Sequence, residues 1–358
     1  MNIDKYLSDK LKLISFVSML MVVFLHSYNL GTEIIENPNI KRGYNFFVQF
    51  FISQGITRIA VPIFFTISGY LLFIRLNNIN IFKEYIPILK KRFISLAVPY
   101  LIWSFSFFMF FLLLQKLPGI ATLFKQKHIA DYSISETLSV IFINPIPFQL
   151  WFIRDLILLI VIFPLLYWVL QLFKGLALLL FLISWWFGFD FIVFSNEALL
   201  FFAFGSFLGI NKSDLKVEIN QITTCFLISL WLLIVLCETL LVYKSFSNLY
   251  ILNFLHKSGI LIGVISVWFF YDFILKNKYR FYFKSIPFLH LSFFIYAFHE
   301  PLLEILKIIF YKILGTEQTA MFSIYIVAPL IVIALCILTG EFLKKKVPSF
   351  FKIITGGR

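Results

Sequence analysis

The sequence predicts an all-helical bundle that crosses a membrane about ten times. Apolar residues make up 61% of its 358 residues and charged residues only 14%, which is typical of polytopic membrane proteins. Most of its apolar stretches approach the length that a helix needs to cross a bilayer. No long polar stretch could form a separate soluble domain, so we expect one integral membrane domain over residues 1–358. The predicted spans are residues 13–30, 46–74, 95–115, 150–171, 175–193, 197–210, 221–243, 258–275, 286–311 and 320–343.

The distribution of charge predicts the orientation of this bundle. The chain carries 31 Lys and Arg against 18 Asp and Glu, a formal net charge of +13. The basic residues concentrate in alternate segments between the spans, which favours a topology with both termini on the cytoplasmic side. Because a basic cytoplasmic surface explains the charge, we expect membrane lipids as partners and no nucleic acid. The three cysteines have neither metal-site nor disulfide spacing, and we expect no metal site.

The first span, residues 13–30, contains a single histidine, His26, near its outer end. Lipid offers nothing to which an imidazole can bond, so such a histidine usually faces the bundle interior or a wet cavity. Imidazole also titrates near neutral pH, which suits a general base. The alternative is that His26 only caps a carbonyl or a serine of a neighbouring helix.

The second span, residues 46–74, holds Arg58 together with two residues that loosen a helix, Pro62 and Gly69. An arginine cannot readily shed its charge. Arg58 therefore needs an anion, a cluster of carbonyl groups or water within the membrane.

Basic residues follow the second span and precede the third. Arg75 is placed either to bind a phosphate or to anchor its helix on the cytoplasmic side. The triplet Lys90, Lys91 and Arg92 is typical of such an anchor.

The fourth span contains two adjacent charged residues, Arg154 and Asp155. Neighbours on a helix point about 100° apart, so these two need not pair with each other. Two interpretations of Asp155 remain open. It orients His26 and stabilises the protonated imidazole, or it pairs with Arg58 and holds two helices together. We expect Glu197, at the start of the sixth span, to be an interfacial residue.

Five motifs occur in an order that resembles the acyltransferase family 3 of membrane proteins. Each motif alone is weak because apolar helices resemble one another, but together they extend over nearly the whole chain. The motifs are VVFLHS at 22–27, VPIFFTISGYLL at 61–72, KRF at 91–93 with VPYLIWS at 98–104, LWFIRDL at 150–156 and YAFHEP at 296–301.

The resemblance implies an activity. Proteins of this family transfer acyl groups, often acetyl from acetyl-CoA, to hydroxyls of cell-surface glycans or of their lipid-linked precursors. An acyl-CoA is then a donor substrate, no cofactor is permanently bound, and the location is a bacterial cell membrane. We expect the donor on the cytoplasmic side and the glycan hydroxyl from the lipid or the external side.

The resemblance implies that His26 is the catalytic histidine. Our reading of the residues adds further candidates for the site: Asp155 as a partner that orients His26, and Arg58 or a serine to stabilise the oxyanion. Basic residues hold the donor phosphates: Arg75, Lys90, Lys91 and Arg92. Polar and aromatic residues of the motifs contribute to substrate binding: Ser68, Tyr70, Trp151, Arg154, His299 and Glu300.

Two positions depart from the family pattern. The family usually has arginine or lysine at the position of Ser15, and Lys12 lies one turn earlier, within about 40° of the same helix face as His26. Relatives often carry paired arginines after the second span, where this chain has Arg75 and Asn78. Lys12 either substitutes for the missing residue by extending along the helix, or that function is lost.

Three alternatives remain. A transporter of polysaccharide or lipid-linked sugar would also contain inward-facing charges. The other membrane-bound O-acyltransferases use a histidine late in the chain, which would favour His299 over His26. A degenerate family member, kept as an assembly partner, would account for Ser15 and Asn78.

Overall fold

The computed structural model describes residues 5–30, 43–76, 81–117, 127–189, 194–213, 215, 217, 219–276 and 288–357. Within these ranges every regular element is a helix, which confirms the predicted all-helical class. The α-helices are α1 (Lys5–Ser27), α2 (Tyr44–Phe73), α3 (Ile81–Arg92), α4 (Val98–Leu114), α5 (Ile134–Phe142), α6 (Trp151–Val161), α7 (Phe163–Phe173), α8 (Gly175–Phe187), α9 (Asn196–Ile210), α10 (Gln221–Tyr243), α11 (Leu249–Lys276), α12 (Ser292–Leu314), α13 (Gln318–Lys346) and α14 (Pro348–Ile354).

The chain is a multi-pass membrane protein by the length and composition of its helices. Across the described ranges, six helical stretches are long and apolar enough to cross a membrane, or seven if the bent pair α6 and α7 forms one span. Helices α8 and α9 are apolar but shorter. The count of ten spans and the orientation with both termini inside therefore stay predictions.

Several predicted spans differ from the helices in the structure, and α1 and α11 begin eight and nine residues before the predicted first and eighth spans. Residues 150–171 were expected as one span, but the chain bends by 67° between α6 and α7. Pro164 lies in the first turn of α7, where a missing N–H is tolerated, so it begins a new helix there. The third span begins earlier than expected, because α3 continues through a π-helical turn, Phe93–Ala97, into α4.

Helix α1 lies inside the bundle, in contact with α2, α11, α12 and α13. Its buried side chains point in several directions instead of forming one stripe, as expected of a helix that is surrounded by others. The last turn of α1, which carries His26, is therefore within reach of several neighbouring helices.

Helices α2 and α9 approach each other closely at two glycines. A Cβ atom on Gly69 would lie 2.2 Å from the carbonyl oxygen of Phe202. A Cβ atom on Gly205 would lie 1.9 Å from the carbonyl oxygen of Thr66. Small residues allow this approach in membrane bundles, and it fixes α2 beside α9.

Helix α12 is broken in its middle. Glu300 has φ −81° and ψ 144°, outside the helical region, and Pro301 follows it. A residue that precedes proline is disfavoured from the helical conformation, and proline itself has no N–H to donate. The sequence thus explains why the helix opens where it carries His299 and Glu300.

Candidate functional site

Polar groups from three other segments fix the last turn of α1. The Ser53 hydroxyl donates to the carbonyl oxygen of Phe24 at 2.8 Å. The Ser27 hydroxyl donates to the backbone carbonyl oxygen of Tyr325 at 3.3 Å. The Lys307 ammonium donates to the carbonyl oxygen of His26 at 3.2 Å. The last carbonyls of a helix lack partners within the helix and attract cations. The bonds from Ser53 and Lys307 therefore supply partners to carbonyl groups of this last turn, and all three bonds hold the backbone around His26 in place.

His26 meets a buried carboxylate from the break in α12. Its Nδ1 atom lies 3.4 Å from Oε1 of Glu300, and the two side chains are only 14% and 11% exposed. An ionised carboxylate can only accept, so Nδ1 carries the hydrogen and Nε2 is left as the acceptor. This is the orientation of a general base. The distance is long for a charge-assisted hydrogen bond.

His299 is fully buried beside this pair. Its Nδ1 lies 3.1 Å from the carbonyl oxygen of Ile295 and 2.8 Å from that of Tyr296. Since carbonyl oxygens only accept, Nδ1 carries the hydrogen and Nε2 is an acceptor. That Nε2 atom has no hydrogen-bond partner among the described residues. The ring centroids of His299 and His26 are 5.3 Å apart.

His26 lines a pocket of about 350 Å³, which we call the histidine pocket. His299 does not line it, which favours His26 over His299 as the histidine that meets a substrate. The polar lining includes Gln54, Arg58, Gln149 and Glu197, and the aromatic lining includes Phe148 and Trp151.

A larger cavity of about 720 Å³ lies along the same helix. Lys12, Ser15 and Met19 of α1 line this large cavity, whereas Val22, Leu25 and His26 line the histidine pocket. Residues 12, 15, 19, 22 and 26 are three or four positions apart and therefore lie on one side of α1, with Leu25 next to them. The two spaces thus follow each other along this side of the helix.

Three aromatic residues line both spaces: Phe64, Phe152 and Tyr296. The ring centroids of Phe64 and Phe152 are 5.6 Å apart, and those of Phe152 and Tyr296 are 5.8 Å apart. We call these three residues the aromatic boundary. The large cavity and the histidine pocket therefore share this border.

The basic residues that were expected to hold donor phosphates are not all at one place. Arg92 lines the large cavity, and it also lines an adjacent cavity of about 480 Å³ together with Lys90. Arg75 and Lys91 are exposed and line none of these spaces. Lys12 lies at the large cavity beside Ser15. Asn78 lies outside the described residues.

Asp155 occupies a different place from the expected one. Its carboxylate accepts hydrogen bonds from the guanidinium of the adjacent Arg154, at 2.7 and 2.9 Å, and from the backbone N–H of Ser195 at 2.9 Å. The guanidinium folds back along the helix to reach its neighbour. The structure therefore pairs Asp155 with neither His26 nor Arg58, and Glu300 takes the position beside the imidazole.

Arg58 lies in the histidine pocket, where its Nε atom donates to Oε1 of Gln54 at 3.0 Å. Glu197, which we expected at the interface, lines the same pocket. Hydropathy does not reveal that these two residues share a pocket, because this depends on how α2 and α9 pack.

The remaining candidates for substrate binding are divided among several places. Trp151 lines the histidine pocket and Ser68 the large cavity. Tyr70 lines a separate apolar groove. Arg154 lines none of these spaces and serves Asp155 instead.

Comparison with known proteins agrees with the resemblance of the motifs. The sequence profile of the acyltransferase domain matches residues 9–341. The chain is 25% identical to the succinoglycan biosynthesis protein ExoH of Rhizobium meliloti (strain 1021) over 362 residues, which cover 99% of this chain and 94% of that protein. No solved structure matches the chain. The protein therefore belongs to acyltransferase family 3, a family of membrane proteins that transfer acyl groups.

Proposed function

We propose that this protein transfers an acyl group, acetyl from acetyl-CoA, to a hydroxyl of a cell-surface polysaccharide or of its lipid-linked precursor. The observation that carries the proposal is the contact between His26 and the buried carboxylate of Glu300, where the histidine pocket follows the large cavity. We place the reaction in the cell membrane.

His26 acts as the general base in this proposal. Nε2 takes the proton of the acceptor hydroxyl while the oxygen attacks the acyl carbonyl carbon. The bond from carbon to sulfur then breaks, and the imidazolium returns its proton to the departing thiolate. Glu300 holds the ring through Nδ1 and stabilises the imidazolium while it lasts.

Arg58 supports the charge that develops on the carbonyl oxygen. Its guanidinium lies in the histidine pocket, and a cation in a site that excludes water stabilises an oxyanion strongly. Glu197 lines the same pocket and is a carboxylic acid within this polar lining.

The donor occupies the large cavity in this proposal. A volume of about 720 Å³ lies within the usual range for ligand pockets. Lys12 and Arg92 line it and can contact phosphate groups, while the apolar remainder suits the arm that carries the thioester. The acyl end points toward the aromatic boundary and the histidine pocket.

The acceptor enters the histidine pocket. Trp151 and Phe148 offer aromatic surface there, and Gln54 offers a polar group. The Oε1 atom of Gln149 is buried and has no hydrogen-bond partner within the described ranges. An unsatisfied acceptor of this kind suits a hydroxyl-rich ligand. The relative named for succinoglycan biosynthesis supports a polysaccharide acceptor.

The test uses a strain from which this gene is deleted and measures the O-acyl esters of its surface glycan by NMR. We expect the deletion to leave the polymer in place without esters. The wild-type gene should restore the ester signals, and His26→Ala should not. His128→Gln, in a loop outside both spaces, is the matched histidine control and should restore them.

Two results would contradict the proposal. Loss of the polymer itself in the deletion strain would favour a transporter. Full acylation with His26→Ala would remove this histidine from the reaction.

A further inference from the structure

We propose that His26, His299 and Glu300 bind a single Zn²⁺ ion, and that the bound metal stops acyl transfer. The first part is independent of the reaction, and the second rests on the role proposed above for His26. Each of the three side chains offers one ligand atom, and these atoms all lie within 4.8 Å of one another.

His299 supplies an independent reason to expect a ligand. Its Nε2 atom is fully buried and finds no hydrogen-bond partner in the described part of the chain. A buried polar atom without a partner costs free energy, which a bound ion would recover. Nδ1 of the same ring is held by the carbonyl oxygens of Ile295 and Tyr296. Metal-binding histidines are usually held through the second ring nitrogen in this way, because the bond fixes the lone pair toward the metal.

The chemistry of the three ligands favours zinc. Two imidazoles and one carboxylate form a common set for Zn²⁺, with a fourth position left for water. Tetrahedral ligands at the usual bond lengths lie about 3.3 Å apart. Nδ1 of His26 and Oε1 of Glu300 are already 3.4 Å apart. The three ligand atoms therefore have to approach one another by about an ångström to reach these distances.

The charges around the group are compatible with a cation. Glu300 supplies a carboxylate, which reduces the net charge of a zinc complex to one positive unit. Lys307 contacts the carbonyl oxygen of His26, but Glu304 forms an ion pair with its ammonium. The lysine therefore does not leave a second uncompensated cation beside the site.

Other histidines of the chain show why this group is distinctive. Nδ1 of His256 lies 3.0 Å from Oε1 of Glu238. Nε2 of His290 lies 3.0 Å from Oε1 of Glu341. Each of these is a pair of one histidine and one carboxylate. Among the described residues, only the group at His26 combines three such ligands at short distance.

Metal binding would change the chemistry of His26. With the metal absent, Nδ1 carries the hydrogen and Nε2 accepts a proton from the substrate. Zn²⁺ takes the lone pair of Nδ1, so the hydrogen of the neutral ring moves to Nε2. Nε2 is then a donor and no longer a base. No proton is released in this exchange, and no redox step is needed.

The test measures zinc binding to purified full-length protein in detergent, after treatment with a chelator. Zn²⁺ is titrated against a colorimetric chelator without acyl donor or acceptor. We expect one zinc per wild-type chain and about 100-fold weaker binding after His299→Gln. His256→Gln is the matched control, since it removes a histidine beside a single carboxylate, and it should bind like wild type. Glu300→Gln provides a second ligand variant in case His299→Gln does not fold.

Co²⁺ provides a spectroscopic check on the same samples. Tetrahedral coordination by the three side chains should give strong visible absorption in wild type and lose it in both ligand variants. Equal zinc affinity in wild type and in the folded ligand variants would overturn the site.

Inhibition is measured separately. Zinc should slow acyl transfer by wild type at the concentrations that fill the site. Equal rates with and without bound zinc would overturn the inhibitory role. A protein that binds zinc through these ligands but transfers no acyl group under any condition would retain the site and contradict the proposed function.

Discussion

Glu300 reaches His26 because the helix opens at the residue before Pro301. On a regular helix, residues 299 and 300 would point about 100° apart. The extended conformation of Glu300 removes this restriction, and both side chains lie against the same imidazole. A single proline thus places a carboxylate and a histidine together in the interior of the bundle.

The role of this carboxylate leads to a prediction for Glu300→Gln. The amide keeps the shape but loses the charge that stabilises the imidazolium and selects the tautomer. We expect kcat to fall about 10²–10⁴-fold, as when a general base or its partner is disabled. The measurement is acyl transfer by purified protein, with KM for the donor measured alongside. Arg154→Gln is the control, because it removes the contact of Arg154 with the buried carboxylate of Asp155 and leaves the contact between His26 and Glu300 unchanged. Activity above one tenth of wild type in Glu300→Gln would contradict this role.

The sequence singles out His26 as a candidate site residue more clearly than it singles out Glu300 as the carboxylate beside it. A lone histidine in an apolar span is visible in the sequence because lipid cannot satisfy an imidazole. Its partner lies far along the chain, on a helix whose break and packing bring it close. Asp155 looked equally suitable, but its own neighbour Arg154 satisfies it. That choice depends on side-chain conformation, which hydropathy does not encode.

The contact between α2 and α9 shows how one element positions another. The two backbones touch at Gly69 and Gly205, where even a methyl group would collide with a carbonyl oxygen. Helix α2 carries Arg58 and Phe64, and α9 carries Glu197. The distance between these helices therefore sets the width of the histidine pocket.

We predict that Gly205→Ala destabilises the protein by about 1–3 kcal/mol, because the added methyl group forces the helices apart. The measurement is thermal unfolding of the purified protein in detergent. Gly175→Ala is the matched control: a Cβ atom there meets nothing within 4 Å, and alanine favours a helix more than glycine does. An unchanged unfolding temperature for Gly205→Ala would show that the two helices do not require this approach.

Hydropathy predicts where the helices lie along the chain. It predicts less well where a helix bends or continues into its neighbour. The predicted spans agree in place with most of the helices because lipid demands long apolar stretches. The bend between α6 and α7 depends on Pro164, and the extension of α3 continues through charged residues that carry no apolar signal. Such features reflect local backbone geometry and packing.

Across the whole molecule, α1 connects the large cavity with the histidine pocket, and the aromatic boundary lies between them. In the proposed mechanism, the acyl group of a donor in the large cavity lies against Phe64, Phe152 and Tyr296. We therefore expect these residues to discriminate among acyl chains by their length, since each methylene group in an apolar site changes the free energy modestly.

We predict that Phe152→Ala raises kcat/KM for hexanoyl-CoA relative to acetyl-CoA by about tenfold or more, the range expected for extra methylenes in an apolar site. The measurement is a competition between the two donors with one acceptor. Phe105→Ala, at a phenylalanine that is 52% exposed, is the matched control and should leave the ratio unchanged. An equal ratio in wild type and Phe152→Ala would exclude the boundary as a size filter.

The bonds that hold the last turn of α1 have a consequence for the biosynthesis of the protein. Ser53 is made soon after His26, whereas Glu300, Lys307 and Tyr325 are made near the end of translation. A nascent chain that ends after α11 has inserted the histidine but lacks its carboxylate and two of the groups that fix its backbone. In the proposed mechanism, the arrangement of the base and its carboxylate therefore forms only when α12 and α13 have joined the bundle.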